Sequence, residues 1–346
     1  MRIEGQTIEN EHAVVMENAY YKSILLPSRA MLPLTFFYKP TGKDLLVRRQ
    51  DIETDIICQD GIMQCLPWVS SLKPEQSKGL LRTATWKVKT TQEGDCATFS
   101  GQAEIAYNDP LSDQPANLRF VQTITGGKGQ PSLTMDYKVT NIGKTEARFI
   151  LVAHPRITAG GAYQKDDYVF APGTNCWIGD FKWPALAKQG IQPNSWINWP
   201  IDDIIRFEPK KGEHAKGEFA YAFVPASWGV IGNNRTKEFI VFHSSPVKIG
   251  KQIQATPFFC ILHRDGDYLM EIGVSRALGT ENWKESWATV SLQPGEDLTF
   301  TLTLIPAQGL GEAQIRRAIK VTPERLTMQA EQAGQPVVDF PLISAH

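Results

Sequence analysis

The fold is decided by residues 133–157, which read LTMDYKVTNIGKTEARFILVAHPRI. Apolar residues occupy every second position from Leu133 to Val139, with polar residues between them. This period of two is typical of an antiparallel strand with one face in the core and one in water. An Asn-Ile-Gly turn signal begins at Asn141, and an apolar run then leads to His154. The stretch therefore predicts two strands joined by a turn, with a histidine where the second strand leaves the sheet.

The same period of two recurs along the chain, whereas helical periodicity is scarce. Asp265-Gly266 marks a hairpin turn between two strand patterns, and the best helical candidate is GEAQIRRAIKVT, residues 311–322. Further predicted strands are TFSGQAEIAY (98–107), LRFVQTIT (118–125), EARFILVA (146–153), EFIVFH (238–243) and LTFTLTL (298–304). No linker interrupts the pattern. We therefore predict an all-β fold, a large antiparallel β-sandwich with few short helices, as a single domain over residues 1–346.

Composition and charge exclude several classes of function. The chain has 346 residues, 42% of them hydrophobic and 21% charged, with a formal net charge of −1. This balance predicts no nucleic-acid partner, because such a partner requires a basic surface. No apolar run approaches the roughly 18 residues of a membrane helix, so we predict no membrane association. The first residues lack a secretory pattern, which predicts a cytoplasmic protein.

Cysteine and histidine spacing argues against a metal site. The five cysteines are odd in number and form no Cys-x-x-Cys pair, which is typical of reduced thiols in the cytoplasm. None of the six histidines lies close in sequence to another histidine or to a cysteine. A zinc site needs ligands at short spacing. We therefore predict that the protein holds no metal.

Two cationic residues and a tryptophan lie close together in QSKGLLRTATWKV, residues 76–88. If it is a strand, Lys78, Arg82 and Trp86 lie on one face. One interpretation is a solvated surface, and the other is a site for a polar, ring-shaped ligand. For Trp86 we favour packing in the core over stacking on a sugar.

Tryptophans concentrate in two short segments, CWIGDFKWP (176–184) and NSWINWP (194–200). Their Gly, Pro and Asn content predicts long loops laid over a sheet. Flat aromatic rims of this kind stack on pyranose rings. The candidate contacts are Trp177, Trp183, Trp196 and Trp199, of which we single out Trp183 and Trp199, with Asp180 or Asn198 available for hydroxyl groups. The alternative, which we favour for any single tryptophan, is that they clamp the loops to the sandwich.

The order of these parts resembles the aldose 1-epimerases and their galactose mutarotase-like relatives. The resemblance rests on four segments that span most of the chain. They are ENAYYKSILLPSRAMLPLTFFYKPTGKDLL (17–46), DGIMQCLPWVSSLKPEQSKGLLRTATWKV (60–88), residues 133–157, and YLMEIGVS (268–275) with VSLQPGEDLTFTLTLIP (290–306). The resemblance implies a many-stranded β-supersandwich. It also implies an enzyme that interconverts sugar anomers without a metal or organic cofactor.

The resemblance carries roles to particular residues. His154 matches the histidine that protonates the ring oxygen, and Glu271 is the candidate for the glutamate that takes the proton of the C1 hydroxyl. Arg82 matches an arginine that contacts sugar hydroxyls in relatives. Lys78 is a departure, because relatives often carry a histidine there. We hypothesise that Lys78 directs specificity toward a sugar phosphate or uronate. The alternative is a solvated lysine.

The sequence thus predicts a protein that binds a small-molecule sugar or sugar phosphate. The leading function is an aldose 1-epimerase-like activity with His154 and Glu271 as acid and base. The alternative is a carbohydrate-binding protein on the same fold without turnover. The sequence specifies neither the sugar nor the oligomeric state.

Overall fold

In a computed structural model, most of the residues described are in β-strands. The described residues are 1–8, 10–46, 61–67, 80–109, 112–160, 164–182, 184–201, 219–255, 258–264, 267–273, 289–321, 325–329 and 336–341. Within these ranges there are three short α-helices, α1 (Leu80–Thr83), α2 (Pro184–Lys188) and α3 (Glu312–Ala318), and a 3-10 turn at Pro27–Arg29. All strand pairings are antiparallel, so the predicted all-β antiparallel fold is confirmed. No helix in these ranges is long and apolar enough to cross a bilayer.

The largest sheet has ten strands. Eight follow one another in space in the order β13 (Asp167–Phe170), β17 (Trp228–Asn233), β18 (Glu238–Ser244), β24 (Asp297–Gln308), β10 (Leu133–Asn141), β9 (Pro115–Gly127), β8 (Cys96–Asn108) and β7 (Lys87–Glu93). The remaining two, β19 (Val247–Ile249) and β20 (Gln252–Ala255), form a hairpin whose first strand pairs with β24. The strands predicted from alternation at 133–140 and 298–304 are the central neighbours β10 and β24.

A seven-stranded sheet forms the second large layer. Its order is β15 (Ser195–Asn198), β14 (Asn175–Lys182), β16 (Phe219–Pro225), β21 (Phe258–Arg264), β22 (Asp267–Gly273), β12 (Val152–Pro155) and β6 (Ile62–Cys65). The predicted hairpin around residues 265–266 supplies β21 and β22, although its turn lies outside the described residues.

Three smaller sheets complete the described part of the fold. The N-terminal sheet consists of β1 (Arg2–Ile8), β2 (Glu11–Glu17), β3 (Tyr21–Leu26), β4 (Leu32–Tyr38) and β5 (Lys43–Asp44). A two-stranded ladder joins β11 (Ala147–Phe149) to β23 (Val290–Leu292), and a C-terminal sheet joins β25 (Ile319–Val321), β26 (Arg325–Gln329) and β27 (Pro336–Pro341).

One continuous hydrophobic core connects the two large sheets with the N-terminal sheet. A polar contact crosses this core, because Gln64 on β6 donates from Nε2 to the Tyr137 hydroxyl on β10 at 2.9 Å. The Tyr137 ring stacks on Phe300 of β24, with ring centroids 4.7 Å apart. The hydrogen bond fixes where the seven-stranded sheet lies over the ten-stranded one.

Two predicted elements differ in detail from the structure. The strand predicted at 146–153 is divided, since β11 pairs with β23 whereas β12 pairs with β22 and β6. Between them the Ile150 amide donates to the Pro67 carbonyl at 2.9 Å, so the chain changes sheets there. The predicted C-terminal helix ends at Ala318, because the backbone becomes extended at Ile319 and continues as β25. β-Branched residues favour this change.

The condition that residues 76–88 form one strand does not hold in their described part, because residues 80–83 are helical and β7 begins only at Lys87. Residues 80–83 form the helical turn α1, in which the Ala84 amide donates to the Leu80 carbonyl at 3.0 Å. The Trp86 indole donates to the Leu81 carbonyl at 2.7 Å and meets Phe120 edge-on. The preference for Trp86 as a packing residue is thus confirmed, and its packing bends the chain before β7.

The predicted turn at Asn141 is held by a fully buried side chain. Asn141 Nδ2 donates to the carbonyls of Thr145 and Leu292, both at 2.8 Å, and its Oδ1 accepts from the Gly143 amide at 2.9 Å. The contact with Leu292 joins this turn to β23, which lies far away in sequence. Asn141 therefore couples the end of β10 to the small ladder formed by β11 and β23.

We expect Asn141→Ala to lower the free energy of unfolding by about 3 kcal/mol, because it leaves buried carbonyl and amide groups without partners. Chemical denaturation measures the change. Ile142→Ala is the matched control, since Ile142 is 37% exposed, and it should change the value by less than about 0.5 kcal/mol. Equal effects of the two substitutions would contradict the role given to Asn141.

A half-buried titratable group lies in the ten-stranded sheet. His243 on β18 lies opposite Trp228 on β17 and Thr303 on β24. Burial lowers its pKa from 6.5 to about 4. Since the neutral imidazole is favoured in the folded protein, its contribution to stability is complete above pH 6.5 and is lost as the pH falls toward 4.

We expect wild-type protein to lose roughly 2 kcal/mol more stability between pH 7 and pH 4 than His243→Gln, which cannot be protonated. Denaturation curves at a series of pH values give the difference. His12→Gln changes an exposed histidine of β2 and is the matched control. Parallel pH profiles for wild type and His243→Gln would refute the assignment.

Candidate functional site

The predicted acid and base lie on neighbouring strands of the seven-stranded sheet. β12 runs between β22 and β6, and its ladder with β22 pairs Val152 with Gly273 and Ala153 with Ile272. The pairing ends there, and continued by one residue this antiparallel register would set position 154 opposite position 271. Such a register sets the two positions side by side on adjacent strands.

The register extends this pair into a line across the sheet. Trp196 pairs with Trp177, Trp177 with Phe223, Phe223 with Cys260, and Cys260 with Glu271, while His154 pairs with Met63 on the far side. We call positions 196, 177, 223, 260, 271, 154 and 63 the site row. Directly opposite positions of an antiparallel ladder lie on the same face of a sheet. The site row is therefore one line on one face.

Over β14 and β16 that face is turned away from the main core, whereas near His154 the same face also carries the core residues Val152 and Cys65. Ile178, Ala222 and Ala153 are each the chain neighbour of a site-row residue, and all three are fully buried in the main core. Because successive side chains of a strand alternate between faces, the site row occupies the opposite, outer face.

Burial changes along the site row. His154 and Phe223 are each only 4% exposed, whereas Trp196 at the sheet edge is 43% exposed. Trp177, between Phe223 and Trp196, is half-buried. The row thus begins in a covered region at β12 and ends at an open edge on β15.

Sequence reasoning missed a basic group beside His154. Arg156 follows two residues later, is 7% exposed, and its amide donates to the Gly61 carbonyl at 2.9 Å. A buried guanidinium offers several fixed hydrogen-bond donors. The signal was the His-Pro-Arg sequence immediately after the apolar run.

The tryptophan-rich segments are strands, and the prediction of loops is wrong. Residues 175–182 form β14 and residues 195–198 form the edge strand β15. Trp199 is 5% exposed, and its indole donates to the Ala171 carbonyl at 2.9 Å within the main core. The structure thus favours the packing interpretation for Trp199 over a place on an exposed rim.

The remaining residues predicted to contact a sugar are Asp180, Lys78, Trp183 and Arg82. Asp180 lies on β14 where the register with β16 shifts between Ile178 and Phe181. Such bulges redirect a strand locally and are frequent near binding sites. Lys78 and Trp183 lie outside the described residues.

Arg82 belongs to α1, which packs against β8 and the 3-10 turn. A hydrogen bond from Arg29 lowers the pKa of Glu11 on β2, and the charge of Arg82 adds to this effect. Arg82 therefore acts electrostatically on the N-terminal sheet. The candidate site that the backbone register assembles consists of positions 154 and 271, with Arg156 nearby in the chain.

Several solved structures have a similar fold and align with most of this chain. A galactose mutarotase-like protein from Clostridium acetobutylicum aligns with a TM-score of 0.61 at 10% identity, covering 89% of this chain and 99% of that one. A galactose 1-epimerase from Lactobacillus acidophilus aligns with a TM-score of 0.56 at 11% identity, covering 89% and 99%. The fold is the galactose mutarotase-like β-sandwich.

The galactose mutarotase-like fold also occurs in longer proteins. A TPR-domain containing protein from Parabacteroides distasonis aligns with a TM-score of 0.60 at 12% identity, and this chain covers 51% of its length. No family model and no curated protein matches the sequence. At these identities the comparisons establish the fold alone.

The different environments of two tryptophans lead to a prediction about stability. Trp199→Ala should lower the free energy of unfolding by about 4 kcal/mol, because it opens a cavity in the core and leaves the Ala171 carbonyl without its donor. Trp196→Ala should cost less than about 1 kcal/mol, since the indole is already exposed at a sheet edge. Urea denaturation followed by circular dichroism measures both. A larger loss for Trp196→Ala would contradict the burial described here.

Proposed function

We propose that the protein binds a sugar on the outer face of the seven-stranded sheet and interconverts its anomers, with His154 and Glu271 as acid and base. The observation that carries the proposal is that β12 and β22 are paired neighbours, in a register that would set position 271 opposite position 154 if continued by one residue. The galactose mutarotase-like fold supports it. Several solved structures with this fold carry the name of an epimerase or mutarotase.

Neighbouring positions suit the chemistry of anomer exchange. The carboxylate of Glu271 would take the proton of the C1 hydroxyl while the imidazolium of His154 donates a proton to the ring oxygen. The bond between C1 and the ring oxygen breaks, and a carbonyl forms at C1. Rotation about the C1–C2 bond and ring closure, with the two roles reversed, give the other anomer. Both oxygens are bonded to C1, so an acid and a base on adjacent strands can reach them together.

The surroundings of His154 bear on how a sugar would be held. A sugar in contact with this 4% exposed imidazole would be largely shielded from water. Shielding strengthens hydrogen bonds between the sugar and the protein. Arg156 is the nearby group whose paired donors match adjacent hydroxyls. No step in this scheme calls for a metal or an organic cofactor.

The finer part of the proposal concerns the substrate. Lys78 replaces the histidine common in relatives, and we propose that its ammonium group selects a sugar carrying a phosphate or carboxylate. Arg82 is the second basic group of this segment. A phosphorylated substrate would place the protein in the cytoplasm, where sugar phosphates are made.

A second proposed function is sugar binding without turnover. The observation that favours it is the departure at Lys78, because the missing histidine orients the sugar near the ring oxygen in relatives. A protein of this kind would bind a sugar at His154 and Glu271 but would not accelerate anomer exchange.

Anomer exchange can be measured directly by NMR magnetisation transfer on neutral hexoses and hexose phosphates, with and without the protein. We expect acceleration for at least one sugar. We also expect His154→Gln and Glu271→Gln each to reduce it by about 100-fold or more, because each removes one partner of the proton transfer. His12→Gln, at an exposed site on β2, is the matched control and should retain full activity.

The outcomes separate the two functions. If the NMR signals of a sugar broaden but its anomers do not exchange faster, the protein binds the sugar without turnover, and the second proposed function holds. Full activity in both His154→Gln and Glu271→Gln would overturn the catalytic assignment. Preference for a phosphorylated sugar would support the role proposed for Lys78, and equal rates for neutral and phosphorylated sugars would refute it.

A further inference from the structure

The outer face of the sheet carries a second arrangement at its exposed edge. β14 begins Asn-Cys-Trp and β15 ends Trp-Ile-Asn. The antiparallel register pairs Asn175 with Asn198 and Trp177 with Trp196. Two indoles and two carboxamides therefore occupy four adjoining positions on one face. We call these four residues the edge platform.

The edge platform faces solvent while the residues between its members face the core. Asn175 and Asn198 are exposed, and Trp196 is the most exposed large hydrophobic side chain in the described ranges. Cys176 and Ile197, which alternate with the platform residues, pack in or against the main core. Alternation with the core thus holds the platform residues outward.

The two indoles are not coplanar. Their ring centroids lie 5.9 Å apart with an interplanar angle of 74°. A single flat ring cannot stack on both at once. A ligand that uses both indoles must therefore present two differently oriented surfaces, as a chain of linked rings does.

The chemistry of the edge platform selects a neutral, hydroxyl-rich ligand. An indole face attracts the aliphatic C–H face of a pyranose, and a carboxamide both donates to and accepts from hydroxyl groups. None of the four side chains is ionisable. The platform therefore offers no charge to attract a phosphate, a carboxylate or a nucleic acid.

The edge platform is separate from the site proposed for anomer exchange. Four strand steps lie between β12 and β14, which corresponds to about 19 Å at the usual strand spacing. Phe223 lies between them in the site row and is 4% exposed, so covered surface divides the two regions. A monosaccharide at His154 cannot reach the edge platform.

We propose that the edge platform is a second carbohydrate site, which binds a neutral oligosaccharide through Trp177, Trp196, Asn175 and Asn198. This inference goes beyond the proposed epimerase activity and does not depend on it. The platform would anchor a glycan chain on the same face of the sheet that carries His154.

Calorimetric titration with defined sugars tests the proposal. The probes are glucose and neutral hexasaccharides with β-1,4-glucose, α-1,4-glucose and β-1,4-xylose backbones. We expect at least one hexasaccharide to bind at least tenfold more tightly than glucose. Trp196→Ala and Asn198→Ala should each weaken that binding, the tryptophan change by tenfold or more. Phe37→Ala is the matched control, because Phe37 is 38% exposed on the N-terminal sheet, and it should leave binding unchanged.

Three results would overturn the proposal. The first is no binding of any hexasaccharide, and the second is hexasaccharide binding that survives Trp196→Ala. The third is a concentration-dependent dimer in sedimentation that Trp196→Ala abolishes, which would make the edge platform a protein contact. Anomer exchange of a monosaccharide should be unchanged in Trp196→Ala, so the measurement distinguishes failure of this proposal from failure of the epimerase proposal.

Discussion

The register of the seven-stranded sheet is the constraint on which the candidate site depends. A slip of one residue in any of its strands would move that strand's side chains to the other face. Buried residues such as Ile178, Ala222 and Ala153 prevent this, because a slip would expose them to water. The hydrophobic core on one face therefore aligns the site row on the other. The candidate site residues are positioned by neighbours on the other face of the same sheet.

Much of the fold could be predicted from the sequence because its central strands alternate regularly. β9 and β10 bury every second residue over most of their length, and the same alternation is visible in the sequence. The edge strand β15 and its neighbour β14 were harder to predict. Their outer faces carry Trp and Asn, so the local composition resembles a loop. Pairing of β14 with β15 and with β16 makes these residues part of a sheet.

The candidate site was predictable in its members more than in its geometry. His154 was identified from its place after an apolar run, and Glu271 from the resemblance to a family. Their adjacency comes from pairing between strands distant in sequence, which no local pattern encodes. The choice between packing and a surface contact for Trp199 could not be made from the sequence, because burial depends on tertiary packing. The helical turn at Arg82 depends likewise on the tertiary contact between Trp86 and Phe120.

The position of β24 has a consequence for how the protein is made. This strand lies between β18 and β10 in the ten-stranded sheet, yet it is encoded near the end of the chain. During synthesis the strands β7 to β10 emerge early and can pair as a meander. β18 lacks a pairing partner on one side until β24 has been synthesised. A chain that stops before residue 297 would expose two long, hydrophobic strand edges. Such edges pair readily with other chains, so truncated products should aggregate rather than persist as partly folded monomers.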